Sequence, residues 1–126
     1  MLKKQNLPIG AVITLDSKVI AKGKNSIWTP KYRPSRHAEI NAIDKVPSDL
    51  WHRASNMTLY TTLEPCVMCT GAILIHRIGR IVFGSNDAYG GAGCVFGHMP
   101  ATFERLRAST IWVGPVLPEK CDELKK

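Results

Sequence analysis

The stretch MTLYTTLEPCVMCTGAILIHRIGRIVFGSN, residues 57–86, decides the fold. Residues 57–64, MTLYTTLE, are rich in Thr, Leu and Tyr and predict a strand. Pro65 then suits the first position of a helix, and CVMCTGAILIHRI (66–78) continues it until Gly79 ends it. RIVFGSN (80–86) predicts a second strand. Strand, helix and strand in that order imply a parallel pair joined by a crossover helix.

Upstream, GAVITLD (10–16) and KVIAKGKN (18–25) are β-branched runs that meet at Asp16-Ser17-Lys18, a turn signal. They predict a hairpin. SIWTPKYRPSR (26–36), with two prolines, is a loop. A helix follows over about 37–46, with Ala38, Ala42 and Ile43 at helical spacing and Ser35 placed as its N-cap. VPSDLWHRASN (46–56) returns as loop. Downstream, DAYGGAG (87–93) is loop, MPATFERLRAS (99–109) a short helix, TIWVGPV (110–116) a fifth strand and PEKCDELKK (118–126) a final helix. The order predicts an α/β domain whose mixed sheet is covered on its faces by helices.

The chain has 126 residues, the size of one domain with one core, and no linker or internal repeat divides it. Its longest apolar run, AILI (72–75), is far short of the roughly 20 residues a membrane span needs. MLKKQNLPIG carries charge with no apolar run behind it, so no secretion signal is expected and a cytoplasmic protein is. Four cysteines in such a chain suit reduced thiols or metal ligands better than disulfides. The net charge of +7 would suit a phosphate-bearing partner such as RNA. The basic residues are scattered, however, and many small enzymes are basic, so this carries slight weight.

Chemistry concentrates at two helix starts. Cys66 and Cys69, at i and i+3, share one helix face in a first turn, where free N–H groups and the helix dipole lower a thiol pKa. Alone, C-x-x-C leaves three readings open: a metal site, a redox dithiol, or two core thiols. His37 tips the balance. It opens another helix, and in a βαβ arrangement successive helix N-termini fall along one sheet edge, so His37, Cys66 and Cys69 can converge. Three protein ligands with one position open is the catalytic zinc pattern. Glu39 can then reach the open position and move protons there. Taken alone it would be a solvated first-turn glutamate. His52, His76 and His98 have no such context, and Cys94 and Cys121 read as ordinary thiols.

H-A-E (37–39) followed by P-C-V-M-C (65–69) matches the H-x-E…P-C-x-x-C signature of zinc nucleobase deaminases. The chain resembles the cytidine deaminase-like superfamily, and within it most nearly the tRNA-specific adenosine deaminases, which convert adenosine to inosine at the wobble position. The resemblance runs over about residues 7–97, through LPIGAVI (7–13), GKN (23–25), HAEINAI (37–43), LYTTLEPCVMCTGAI (59–73) and RIGRIVFGSND (77–87). It implies a three-layer α/β/α sandwich with a mixed five-stranded sheet, one domain over 1–126, one zinc ion per chain and a homodimer. It assigns His37, Cys66 and Cys69 to zinc and Glu39 to proton shuttling. Asn25 and the Ala38 N–H would bind the target base, with carbonyls near Glu64 and Pro65 at its edge. Leu7 and Ile9 would pack on the ring, and Asp87 would lie near the sugar.

Three departures stand beside the match. Relatives carry a helix before the first strand, where nine residues precede it here. The loop after Asp87 reads AYGGAGCVF (88–96) in place of lysine or threonine, and YRPSRHAE (32–39) replaces the usual aspartate-proline-threonine-alanine approach. The core motifs favour adenosine in a tRNA anticodon loop; the altered 88–96 loop favours a free base or nucleoside such as guanine or guanosine. Two other classes compete. A thiol oxidoreductase would need only Cys66 and Cys69, and a non-catalytic partner subunit would not keep Glu39. Trp28, Tyr32, Trp51, Tyr89 and Trp112 could stack on bases; most read as packing residues, and Tyr89, just past Asp87, is the best stacking candidate.

Overall fold

Alternation builds the sheet. In β1 (Gly10–Leu15) every second side chain, Ala11, Ile13 and Leu15, is buried, and in β3 (Met57–Leu63) Met57, Leu59 and Thr61 are. The structure, a computed structural model, describes residues 9–120. Its element order is β1, β2 (Lys18–Lys24), α1 (Ala38–Asp44), a 3-10 helix (Ser48–Asn56), β3, α2 (Val67–Ile75), β4 (Arg80–Ser85), a 3-10 turn (Ala92–Val95), α3 (Ala101–Ala108) and β5 (Ile111–Val113). The five strands form one mixed sheet in the order β2-β1-β3-β4-β5. β1 is antiparallel to β2 and β3; β3, β4 and β5 are parallel.

The hairpin turns on Asp16 and Ser17, both at positive φ (51° and 66°), the two-residue geometry that matches strand twist. Lys18 already belongs to β2. Right-handed crossovers place the three α-helices on one sheet face, where α1 touches α2 and α2 touches α3. Between helices and sheet lies one core, with Ile13, Leu59, Ile73, Ile78 and Ile81 fully buried. Each such side chain contributes about 1.5–3 kcal/mol. Residues 118–120 are helical, and the remainder of the helix expected over 118–126 lies outside the described residues.

Several local expectations change. Residues 46–56 are not irregular: Ser48–Asn56 winds in 3-10 turns that kink at Arg53 (φ −106°, ψ 18°), with Leu50 and Trp51 packed against the core and Ala54 buried in it. Pro65 stands outside α2, whose N-cap is Cys66. Gly79 does not end α2. Arg77 takes the left-handed position (φ 63°), with its N–H donating to the Leu74 carbonyl and the Ile78 N–H to the Ile73 carbonyl. Gly79 is instead a close approach, since a Cβ there would stand 2.1 Å from the Ser55 carbonyl oxygen. β5 is shorter than 110–116, although Val116 and Leu117 still donate to the Phe83 and Gly84 carbonyls.

Candidate active site and metal centre

Two helix starts meet beside the C-terminal ends of the parallel strands. His37 is the N-cap of α1 and Cys66 the N-cap of α2; Cys69 lies in the first turn of α2. Ser35 is not the cap, and His37 itself makes no side-chain cap bond, because its imidazole is turned to the two sulfurs. Its Nδ1 lies 3.6 Å from both Cys66 Sγ and Cys69 Sγ. The Cys66 sulfur also accepts the Cys69 N–H at 3.4 Å. What brings α1 so close is Gly23 in β2: a Cβ there would stand 2.3 Å from the Ala38 carbonyl oxygen and 2.4 Å from the Ala42 nitrogen.

Tetrahedral zinc with ordinary Zn–S and Zn–N bonds sets its N and S donors about 3.6 Å apart, so this donor set fits the ion in spacing and in chemistry. The three donor atoms all lie within 4.8 Å of one another. The Cys69 and His37 hydrogen bonds pull the Cys66 thiol down to about 4 against the opposing effect of burial. Cys69 moves strongly the other way, through its bond to the Cys66 thiolate and its burial. One proton is thus shared by the sulfur pair, and a divalent cation would displace it. The Cys66 sulfur raises the His37 pKa despite the lowering effect of burial.

Glu39 is only 5% exposed. Loss of hydration drives its carboxyl up to about 7, opposed by a bond from its own backbone. A carboxyl poised there can both take and give a proton near neutral pH. A cavity of 170 Å³ opens above it, lined by Ile9, Asn25, His37, Ala38, Glu39, Glu64, Cys66 and Asp87, and also by Ile27 and Leu63. Asn25 is buried, and its Oδ1 accepts the Ile27 N–H at 3.0 Å, which leaves its amide nitrogen as the donor it can offer a ligand. The Ala38 N–H sits in the first turn of α1, where helices leave donors without an intrahelical acceptor. The Pro65 carbonyl, expected at the base edge, accepts the Ala92 N–H at 2.9 Å, and Pro65 does not line the cavity. Cys69 lies buried beneath it, and Leu7 lies outside the described residues.

Asn41 and the role of the Glu64 side chain escaped sequence reasoning. Asn41 donates to the Lys24 carbonyl and to Ser26 Oγ, tying the 26–36 loop to α1. The Glu64 side chain, not only its backbone, is engaged, accepting from Asp87 N and Gly93 N. Asp87 itself folds back, its Oδ1 accepting the N–H groups of Tyr89 and Gly90.

Residues 1–85 match the family model of the cytidine and deoxycytidylate deaminase zinc-binding region. The chain belongs to this deaminase family. Its tRNA-specific adenosine deaminase relative from Bacillus subtilis (strain 168) is 37% identical over 94% of this chain and 73% of the relative. A tRNA-specific adenosine deaminase 2 from Xenopus tropicalis is 33% identical over 99% of this chain and 78% of its own. A solved tRNA:A34 deaminase, studied for A-to-I editing at the wobble position of transfer RNA, superposes with a TM-score of 0.77 at 33% identity, covering 92% of this chain and 83% of that one. A guanine deaminase from Nitrosomonas europaea shares the fold, with a TM-score of 0.70 at 22% identity over 92% and 69%. The deaminase family is hydrolytic and zinc-dependent, and the His37–Cys66–Cys69 cluster is a donor set that suits that ion. Among the described residues no helix is long and apolar enough to cross a membrane.

Proposed function

We propose that this chain deaminates adenosine to inosine in tRNA, as a single deaminase domain over residues 1–126. The observation that carries the substrate is the 33–37% identity to tRNA-specific adenosine deaminases over nearly the whole chain, against 22% to guanine deaminase. Zinc held by His37, Cys66 and Cys69 supplies Lewis-acid activation of the attacking water. Asn25 and the Ala38 N–H hold the base, and Ile9 packs on its ring. Glu39 takes the proton of the attacking water and gives it to a ring nitrogen as the new C–O bond forms. It then takes the proton of the newly added hydroxyl and passes it to the exocyclic amine; the C–O bond becomes a carbonyl, the C–N bond breaks and ammonia leaves. A tRNA substrate is consistent with a cytoplasmic enzyme, the location this reading adopts. A homodimer is supported by the outer face of α2, where Val67, Met68 and Ile75 stand exposed beside an apolar cavity of 380 Å³.

Product analysis on an anticodon stem–loop RNA, guanine and guanosine tests the substrate. Inosine is expected from the RNA; turnover confined to the free base or nucleoside would replace this reading with the one the altered 88–96 loop favours. Glu39→Ala is expected to keep zinc and lose at least about a hundredfold in turnover. Near wild-type turnover by that variant would refute the assigned proton path.

A further inference from the structure

No step above uses the carboxylate of Glu64. One oxygen accepts the Asp87 N–H at 3.1 Å and the other the Gly93 N–H at 2.9 Å, so a single side chain closes both ends of the 87–93 loop. The loop is shaped around that carboxylate. A Cβ at Gly91 would stand 2.2 Å from Oε1 and one at Gly93 2.6 Å from Oε2. Within the loop Asp87 Oδ1 holds the Tyr89 and Gly90 N–H groups at 3.0 and 3.1 Å, and Gly91 pairs with Cys66 in an isolated bridge. Three glycines give this segment more conformational freedom to lose than ordinary chain, and it needs an anchor of matching strength. Bonds from backbone N–H groups to an ionised carboxylate are the strong kind.

We propose that Glu64 is a positioning residue whose carboxylate fixes the 87–93 loop as the outer wall of the pocket, holding Asp87 at its mouth. Gly91 and Gly93 are then the space that the carboxylate occupies. The kinetic part of this claim rests on the deaminase reading; the tether itself does not.

The test uses the zinc-loaded protein. Glu64→Gln keeps the size of the side chain but turns an NH2 toward one of the two donors. Amide exchange at Asp87 and Gly93 is expected to accelerate by at least about tenfold. Zinc content should stay at wild type. On the anticodon stem–loop RNA, KM should rise about tenfold while kcat holds within about threefold. Gly93→Ala should reproduce the effect in the wild-type background and add nothing to Glu64→Ala, where the oxygen it meets is gone. Unchanged exchange in Glu64→Gln overturns the tether, as does an equal Gly93→Ala penalty in both backgrounds. A fall in kcat or in zinc with KM unchanged would place Glu64 in support of the Cys66 turn instead. If Glu64→Ala does not fold, the exchange arm of Glu64→Gln decides alone. Inactive wild type would remove the deaminase reading while exchange still judged the tether.

Discussion

At the scale of the residue, Glu39 joins function to stability. In the unfolded chain it titrates near 4.5; burial in the metal-free fold lifts it to about 7. Between those values the unfolded chain has released a proton that the folded one still holds. Stability therefore falls as pH rises through that window, by about 3 kcal/mol once both states are ionised. Glu39→Gln should stabilise the metal-free protein by about 2–3 kcal/mol at about pH 8 and leave it unchanged at about pH 4, read by denaturant melts. An equal gain at both would mean that the carboxylate carries no such penalty. The ligands were legible because C-x-x-C and H-x-E are local patterns whose chemistry is written in the spacing. The double N-cap role of His37 and Cys66 was not, since Ser35 and Pro65 carry the stronger local signals and only the meeting of two helices overrides them. The side-chain role of Glu64 was hidden for a related reason: its partners lie 23 and 29 residues away and are backbone groups, which leave no side-chain pattern.

At the scale of the element, the end of α2 shows a glycine-type stop made by arginine. Arg77 holds φ 63° while two backbone bonds close the helix around it, and Ile78 packs with Ile73 in the core. A non-glycine residue is strained in that conformation. Arg77→Gly should therefore raise stability by about 0.5–1 kcal/mol without touching the site, measured as a shift in denaturant midpoint at constant slope. No gain would mean that the arginine side chain makes compensating contacts. Gly79 drew the sequence-based stop to itself because a glycine near a helix end ordinarily marks the cap. Its real constraint, the backbone of Ser55, comes from the 3-10 segment that sequence reading left as loop. The 3-10 helix carries too short a period to stand out from irregular chain. Strands and α-helices, with regular apolar repeats, were legible to within a few residues.

At the scale of the whole molecule, the metal donors come from segments 29 residues apart, so a bound ion links α1 to α2 and not only activates water. Stripping zinc should lower the melting temperature by at least about 5 °C, and adding it back should restore it. An unchanged melt would mean that the cluster is held by the core without the ion. The mixed sheet was legible from the order of elements, because a hairpin followed by strand–helix–strand units admits few arrangements; the central place of β3 depends on long-range pairing and was not. Glu39, the proposed proton carrier, and the candidate metal donors stand on helix starts packed against the core, whereas the rim is made of two loops, 26–36 and 87–93, moored by Asn41 and Glu64. Reaction and recognition are thereby kept on separate parts of the chain, so selection can rewrite what enters the pocket by exchanging rim sequence while the machinery beneath stays as it is.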